Sequence, residues 1–531
     1  MNTRYSLLAG CCLLLCTVPL LQAQPGALDL TFNGTGYEVD PVNSLDVGQK
    51  ILVQDDQKIL AIGSSFDATY TARAYVFRYL PDGTPDATFA TNGVFSYELD
   101  NEVDLYSAVL TPEGKILLAG STTDYQTYRL LLIQLNADGS FDNSFGINGV
   151  LVQSVSVVEA NAEDMGYDVA LDTQGNILVC GSTYDADTIR HPFIARFSPS
   201  GELDTSFGVN GIATIPSSGE GSSAFKGIVV QPDGKIVASG YYGNTILWYV
   251  MLVVRFNADG SLDPAFGDAG VVKYNYGNVD DEGDDLQLTA DGSFLVAGVT
   301  VTQTYNYSAL LAKFTPDGML DTTFGNAGTV KEDLNTFDFA SNVVELPDGK
   351  IVMAGSSGVG PPGAFDLAVW KYHADGTPDM TFGTNGVAQH VIPQYSTMIY
   401  AMGIQADGKI LIGGQARTTT NQNYFYIGRL QNDLSTGITE RNASAEVLVY
   451  PDPATASSTV TLQVPEAVLP GARISLYTAD GRLAFTSAVD ELQHDAQHIS
   501  IQLPSALAPG VYQLAFQQQG TRLSTSLFIT R

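Results

Sequence analysis

Residues able to do chemistry are sparse in this chain and widely scattered. It holds five histidines, of which His494 and His498 fall near the C-terminus, while His191, His373 and His390 lie far apart and share no zinc-ligand spacing. No Gly-x-Ser-x-Gly nucleophile elbow occurs, and Gly219-Glu220-Gly221-Ser222-Ser223-Ala224 mimics a dinucleotide fingerprint without a helix after it. Carboxylates are the plentiful reactive groups. Carboxylates such as Asp281 or Asp285, expected at the mouth of the ring described below, are the groups that a polysaccharide hydrolase or lyase would use. Asp259 and Asp263 lie close enough in sequence for calcium, but the acids lack the dense spacing of a calcium loop, so calcium is possible and no cofactor is required. The remaining candidates are aromatic: Tyr128, Tyr184, Tyr242, Trp248, Tyr305 and Tyr424 sit among amides and acids between apolar runs. Such rings suit the apolar faces and hydroxyls of sugars, or the surface of a protein partner. Non-catalytic binding of an extracellular glycan or protein is therefore the leading expectation. A polysaccharide-acting enzyme is the alternative, and a structural matrix component held together by divalent ions is a third reading.

Composition narrows these options. The 25 Lys and Arg against 57 Asp and Glu leave a formal charge of −32, which repels nucleic acid. The N-terminus reads as a signal peptide spanning residues 1–23: Arg4 supplies the positive end, Leu7 to Leu21 is almost wholly apolar, and Leu21-Gln22-Ala23 ends in a small residue. That run is shorter than the roughly 20 residues of a spanning helix, and no second span follows, so no transmembrane segment is expected in the mature chain. Cys11, Cys12 and Cys16 leave with the signal peptide. Cys180 remains in an apolar segment where other repeats hold Ala119, Ala297 and Ala354, so it reads as a small core residue.

The elements that must position any site come from a repeat. An apolar run ending in glycine, as in Pro232-Asp233-Gly234-Lys235-Ile236-Val237-Ala238-Ser239-Gly240, recurs seven times and closes at Gly63, Gly120, Gly181, Gly240, Gly298, Gly355 and Gly414. A second mark anchors on Phe32, Phe89, Phe145, Phe207, Phe266, Phe324 and Phe382, each preceded three residues earlier by an aspartate, Asp29 to Asp379. Asp-Gly between apolar runs signals a hairpin, because glycine takes the positive φ of a tight turn and aspartate bonds the turn backbone. The repeat beginning at Gly270 reads as strands near 270–276, 284–289, 293–299 and 307–314, one repeat forming one four-stranded sheet. Such sheets bury enough surface only when stacked around an axis, which predicts an all-β fold: a seven-bladed β-propeller over residues 24–435. The phenylalanines should pack between blades, and the aspartates should bond N–H groups of the tight segment beside them. The seventh repeat lacks its Phe-Gly segment, whereas Leu28-Asp29-Leu30-Thr31-Phe32-Asn33-Gly34-Thr35-Gly36 is that segment without a preceding strand. The N-terminus is thus expected to complete the seventh blade.

These repeats resemble the delta-60 repeat of bacterial proteins, a resemblance that implies a propeller at the cell surface or secreted. It transfers no activity. After a linker at 436–444, residues 445–531 change pattern: Tyr450-Pro451-Asp452-Pro453, Asp480-Gly481-Arg482, and Ala508-Pro509-Gly510-Val511-Tyr512 punctuate about seven short strands. That order predicts a small immunoglobulin-like sandwich. It resembles the type A C-terminal sorting domain of the type IX secretion system, with Asp452 where asparagine is usual. The resemblance implies the type IX machinery as a partner and a secreted or outer-surface location in a Gram-negative bacterium.

Overall fold

The computed structural model describes residues 24–432 apart from 68–70, 100–101, 157–162, 185–188, 216–220, 244–248, 278–279 and 360–363. It also describes residues 448–530 apart from 451–453, 456–457, 465–471, 479–482, 490–491, 495–497, 505–506, 508–509 and 519–520. Among the described residues all regular structure is strand, apart from a single residue at Val489. No described helix is long and apolar enough to cross a membrane.

The larger compact unit ends at Asn432 and is a seven-bladed propeller. Blade 4 shows the plan. Its inner strand, Ser223–Val230, pairs with Ile236–Tyr242, which pairs with Val250–Phe256, which pairs with the outer strand Val271–Tyr274, all antiparallel. The inner strands of the other blades are Leu45–Val53, Glu102–Leu110, Met165–Leu171, Asp280–Leu288, Phe337–Glu345 and Tyr395–Ile404.

This pairing shifts the blade by one strand from the sequence period. Residues 271–274 close the blade before them, so the segment bearing Phe266 is a loop within blade 4 and not a link between blades. The segment is easily mistaken for a linker because it is long, but it turns back on itself: the Phe266 N–H donates to Asp263 O at 3.1 Å and the Gly270 N–H to Phe266 O at 2.7 Å. The division of loops is unaffected. Asp-Gly turns and Phe loops share one face of the ring, here the turn face. The loops between second and third strands, and the crossovers between blades, share the other, the crossover face.

All seven anchor phenylalanines are buried, at 0–1% exposure. Six of them, all but Phe382, slide beneath the turn glycine of the next blade: a Cβ on Gly83 would fall 2.8 Å from the Phe32 ring. Burying each ring contributes on the order of 1.5–3 kcal/mol. The aspartate three residues earlier does what the sequence implied and more. Asp86 Oδ1 accepts the Thr88 N–H and hydroxyl, at 3.0 and 2.6 Å. Its Oδ2 takes the Arg78 guanidinium at 2.8 Å, and Arg78 also donates across the blade boundary to Ala137 O. Arg196–Asp204 and Arg255–Asp263 repeat the arrangement. Blade 2 replaces the arginine with Gln134 and brings Lys115 to Asp142 at 2.6 Å instead.

The ring closes between the ends of the unit. Tyr37–Asp40 pairs antiparallel with Asn423–Leu430 and is the outer strand of blade 7. Arg429 donates to Asp29 Oδ2 at 2.7 Å, to Thr31 Oγ1 at 2.9 Å, and across the boundary to Pro81 O, with its guanidinium over Phe32. The missing Phe loop of the last repeat is thus supplied from the N-terminus.

The smaller unit is a two-sheet sandwich, with nine strands among the described residues. One sheet holds Leu448–Tyr450, Thr459–Gln463, His498–Gln502 and Gln493–His494. The other holds Ala454–Thr455, Thr521–Thr530, Gly510–Gln518, Arg473–Thr478 and Leu483–Ala488. Its core joins Val460, Leu462 and Ile501 of one sheet to Ile474, Leu514 and Phe516 of the other. Of the motifs that punctuate the sequence here, Pro451–Pro453, Asp480–Arg482 and Ala508–Pro509 lie outside the described residues.

Candidate functional site in the propeller axis

The closing glycines that punctuate the sequence have a structural task that leads to the axis. Each lies on a second strand opposite the inner strand, and a Cβ there would meet the inner backbone at an impossible distance, such as 1.8 Å from Asp104 O at Gly120. That close approach accompanies a β-bulge. Leu105 pairs with Gly120 and Ser107 with Ala119, so Tyr106 is passed over by the ladder. The same step leaves out Gln49, Tyr167, Lys226, Asp284, Ser341 and Tyr400, one per blade. A bulged residue is released from the alternation that packs its neighbours between blades. All seven line one cavity of about 470 Å³ that every inner strand helps to wall. A cavity of that size is in the range of small-molecule sites.

Beside the bulges toward the turn face, a charged group crosses the bore. Lys50 of blade 1 reaches Asp168 of blade 3 at 3.8 Å and also feels Asp285 of blade 5. Burial alone would depress the Lys50 ammonium, but the two carboxylates outweigh it and hold its pKa above the ordinary lysine value. Asp168 accepts the Ser107 hydroxyl at 2.5 Å and the Ile228 N–H at 3.0 Å, and Asp285 accepts the Val343 N–H at 2.8 Å. This network ties the inner strands of several blades together and forms a floor.

At the bulge level the walls are aromatic on one side and charged on another. Tyr106 and Tyr167 meet edge to face with centroids 5.5 Å apart, and the Lys226 ammonium lies 3.8 Å from the Tyr167 centroid. Burial pushes up the Asp284 and Asp285 carboxyls, against the pull of Lys226 and Lys50 respectively. Towards the crossover face, burial and then Asp284 raise Glu282 to about 7, and burial and then Glu102 raise Asp104 to about 8. Among the described residues no group of three or more His, Cys, Asp or Glu is placed to hold a metal ion. The calcium candidates Asp259 and Asp263 are engaged otherwise: Asp259 Oδ1 takes the Ser261 N–H and hydroxyl, and Asp263 pairs with Arg255 and Lys235.

Asp281 does not face the ring mouth, contrary to the sequence reading. It is fully buried, its Oδ1 accepting the Thr300 hydroxyl at 2.5 Å and its Oδ2 the Tyr276 N–H at 2.7 Å. Asp46, Asp164 and Asp338 hold the same place in their blades and likewise take N–H groups of the incoming crossover, as in the 2.8 Å bond from Val42. They pin crossovers. Asp285 does line the cavity.

The loop tyrosines lie on the crossover face, outside the cavity lining, and the structure does not gather them into one cluster. Tyr128 begins the third strand of blade 2 and is half-buried. Tyr184 ends the second strand of blade 3, where Arg190 lies over its ring and donates to its hydroxyl at 2.8 Å. Arg190 also reaches the Tyr241 hydroxyl at 3.3 Å, and Tyr241 packs against Tyr249. Tyr242 carries the Lys273 ammonium 3.4 Å from its centroid. Tyr305 is 63% exposed in a blade 5 loop, and Tyr424 donates to Gln422 Oε1 at 2.8 Å. Trp248 lies outside the described residues.

The cavity residues that sequence reasoning missed did leave a signal. Each bulged residue stands fourteen positions before a closing glycine. Because the bulge position varies in type from repeat to repeat, no consensus marks it.

A domain of unknown function, the DUF5122 beta-propeller, matches residues 54–89, 111–145, 175–207, 231–266, 289–324, 346–382 and 405–436. A secretion system C-terminal sorting domain matches residues 448–530. No curated protein matches the chain. Among solved structures, the chain is similar to a putative oxidoreductase (glucose dehydrogenase) from Thermus thermophilus, at 14% identity over 74% of this chain and 100% of that one, with a TM-score of 0.36. It is also similar to the GH43_1 enzyme from Xanthomonas citri, at 13% identity over 58% of this chain and 89% of that one, with a TM-score of 0.28.

Proposed function

From a chain that carries seven repeats of the DUF5122 β-propeller ahead of a type IX secretion sorting domain, we infer an exported, non-catalytic binding protein whose axis holds a carbohydrate. Its export and its secreted or cell-surface destination follow from the sorting tail. The binding reading rests on one observation, the axial cavity where Tyr106, Tyr167 and Tyr400 stand beside Gln49, Asn342 and charged groups. Tyrosine rings suit the C–H faces of a pyranose, and amide and charged groups suit its hydroxyls. The floor acids support binding over turnover, since Asp168 and Asp285 already accept backbone N–H groups and face Lys50.

The test is a glycan array followed by calorimetry on the full mature chain. Tyr167→Ala and Tyr400→Ala should each weaken binding at least about tenfold, which is the ~1.4 kcal/mol expected of a lost stacking contact. If no glycan binds, the carbohydrate reading fails and a protein ligand on the crossover face takes its place. A second reading draws on Glu282, whose pKa of about 7 beside Asp284 suits a general acid. Turnover of a polysaccharide that is abolished by Glu282→Gln would replace binding with hydrolysis or lysis.

A further inference from the structure

We propose that the axial site selects a ligand bearing a protonated amine, in the class of an unacetylated amino sugar; the inference rests on the carbohydrate reading of the axis. The cavity walls hold three carboxylates, Asp168, Asp284 and Asp285, against two ammonium groups, Lys50 and Lys226. Lys50 is committed to the floor by Asp168 and Asp285. Lys226 alone is left to answer Asp284, and it also faces Glu282 one tier above.

Asp284 and Glu282, both half-buried, share the one ammonium of Lys226, so an incoming ammonium would balance the second carboxylate, whereas a uronic acid would add a further negative charge. The aromatic side of the cavity is suited to the same cation. Lys226 already rests its ammonium on the Tyr167 ring, so this wall is a place where a positive charge is stable. Asp284 lines the same cavity as Tyr106, Tyr167 and Tyr400, so a ligand amine that meets Asp284 leaves the tyrosine rings for the sugar.

The experiment is titration calorimetry on the full mature chain with four probes: the β-1,4 disaccharide of glucosamine, cellobiose, a uronic acid disaccharide, and putrescine as an amine without a sugar. The glucosamine disaccharide should bind at least tenfold more tightly than cellobiose, and Asp284→Asn should narrow that ratio to about twofold. Glu282→Gln should narrow it less, and it provides a second variant should Asp284→Asn fail to fold. Equal affinity for the glucosamine disaccharide and cellobiose would overturn the amine inference and leave the carbohydrate reading standing. Tightest binding of the uronic acid would overturn it in favour of Lys226 as the recognising group. Binding of putrescine with no sugar bound would support the cation preference and sink the carbohydrate reading, and silence from all four probes would sink both.

Discussion

Replacing Arg429 with methionine should destabilise the propeller more than the same change at Arg255: each arginine pairs with the aspartate of its Phe loop and donates to a carbonyl across the blade boundary, and Arg429 adds bonds to Thr31 Oγ1 and Gln405 Oε1. Asp29 and Asp263 are both buried, at 1% and 4% exposure, and each would lose its guanidinium while keeping a lysine, Lys409 or Lys235. Breaking a buried pair on one side costs about 3–5 kcal/mol. With an unfolding entropy near 2.1 cal/mol/K per residue over the described propeller, about 4 kcal/mol lowers Tm by roughly 5 °C. Beyond those two added bonds, the difference lies in what each arginine joins. Arg255 and Asp263 are eight residues apart, whereas Arg429 and Asp29 are separated by 400. Closing a flexible loop of that length costs about 5 kcal/mol by the (3/2)RT ln n relation, and the closing contacts must offset it. Arg429→Met should therefore lower Tm beyond the Arg255→Met shift and expose residues 24–40 to limited proteolysis. A circular permutant that carries residues 24–43 directly after Asn432 makes the pairing local and should reduce the excess. Equal Tm shifts for the two variants, with the N-terminal strand still protected, would refute the closure argument.

The remaining predictions concern the bulges and titration. Gly120→Ala places a Cβ 1.8 Å from Asp104 O and should cost more than about 4 kcal/mol, read by denaturant melting, because the atoms it meets are backbone; Gly114→Ala, in open space at φ +77°, should cost about 1 kcal/mol. Stability should fall as pH rises from about 4.5 to 8. Glu282, raised from 4.5 to about 7, and Asp104, raised from 3.8 to about 8, hold their protons more tightly folded than unfolded, so deprotonation favours unfolding across that window. Glu282→Gln should flatten the slope of Tm against pH. At the acid end the sign reverses. Asp86, held at about 2 chiefly by Thr88 and the neighbouring cations against the cost of burial, stabilises the fold above pH 3.8 and loses that contribution as pH falls towards 2. Asp86→Asn should therefore shift the acid limb of the melting profile, measured by circular dichroism.

Much of the fold was legible because its punctuation is covalently simple. The turn glycines take positive φ, Gly234 at 85° for example, and the anchor phenylalanines are large enough that only burial explains their recurrence. The ends of the repeat array showed that blade 7 borrows from the N-terminus, since Phe32 had no strand before it. The blade boundary was misplaced by one strand because a loop of fourteen residues between Phe256 and Val271 looks like a connection between sheets. The site was harder to see. Sequence reasoning looks for chemistry where residue types repeat or cluster, and it chose tyrosines in variable loops. The axis instead collects one residue from each repeat, such as Tyr106, Lys226 and Asp284, with no shared type. Lys50 and Asp168 are 118 positions apart, and only the ring brings them together. Arg255 stood in view eight residues before Asp263, but its role needed the turn that folds one back on the other.

The seven bulges separate two jobs that most folds mix. The closing glycine and the residues flanking the bulge specify the backbone, while the skipped residue between them is held by no ladder bond of its own. Each blade therefore presents one letter that can be rewritten with little effect on the scaffold, and the axis spells a seven-letter word read in the round: Gln, Tyr, Tyr, Lys, Asp, Ser, Tyr. A library randomised at those seven positions alone should yield folded rings of altered appetite, and chains with the same punctuation but different letters would be expected to share this architecture while feeding on different molecules.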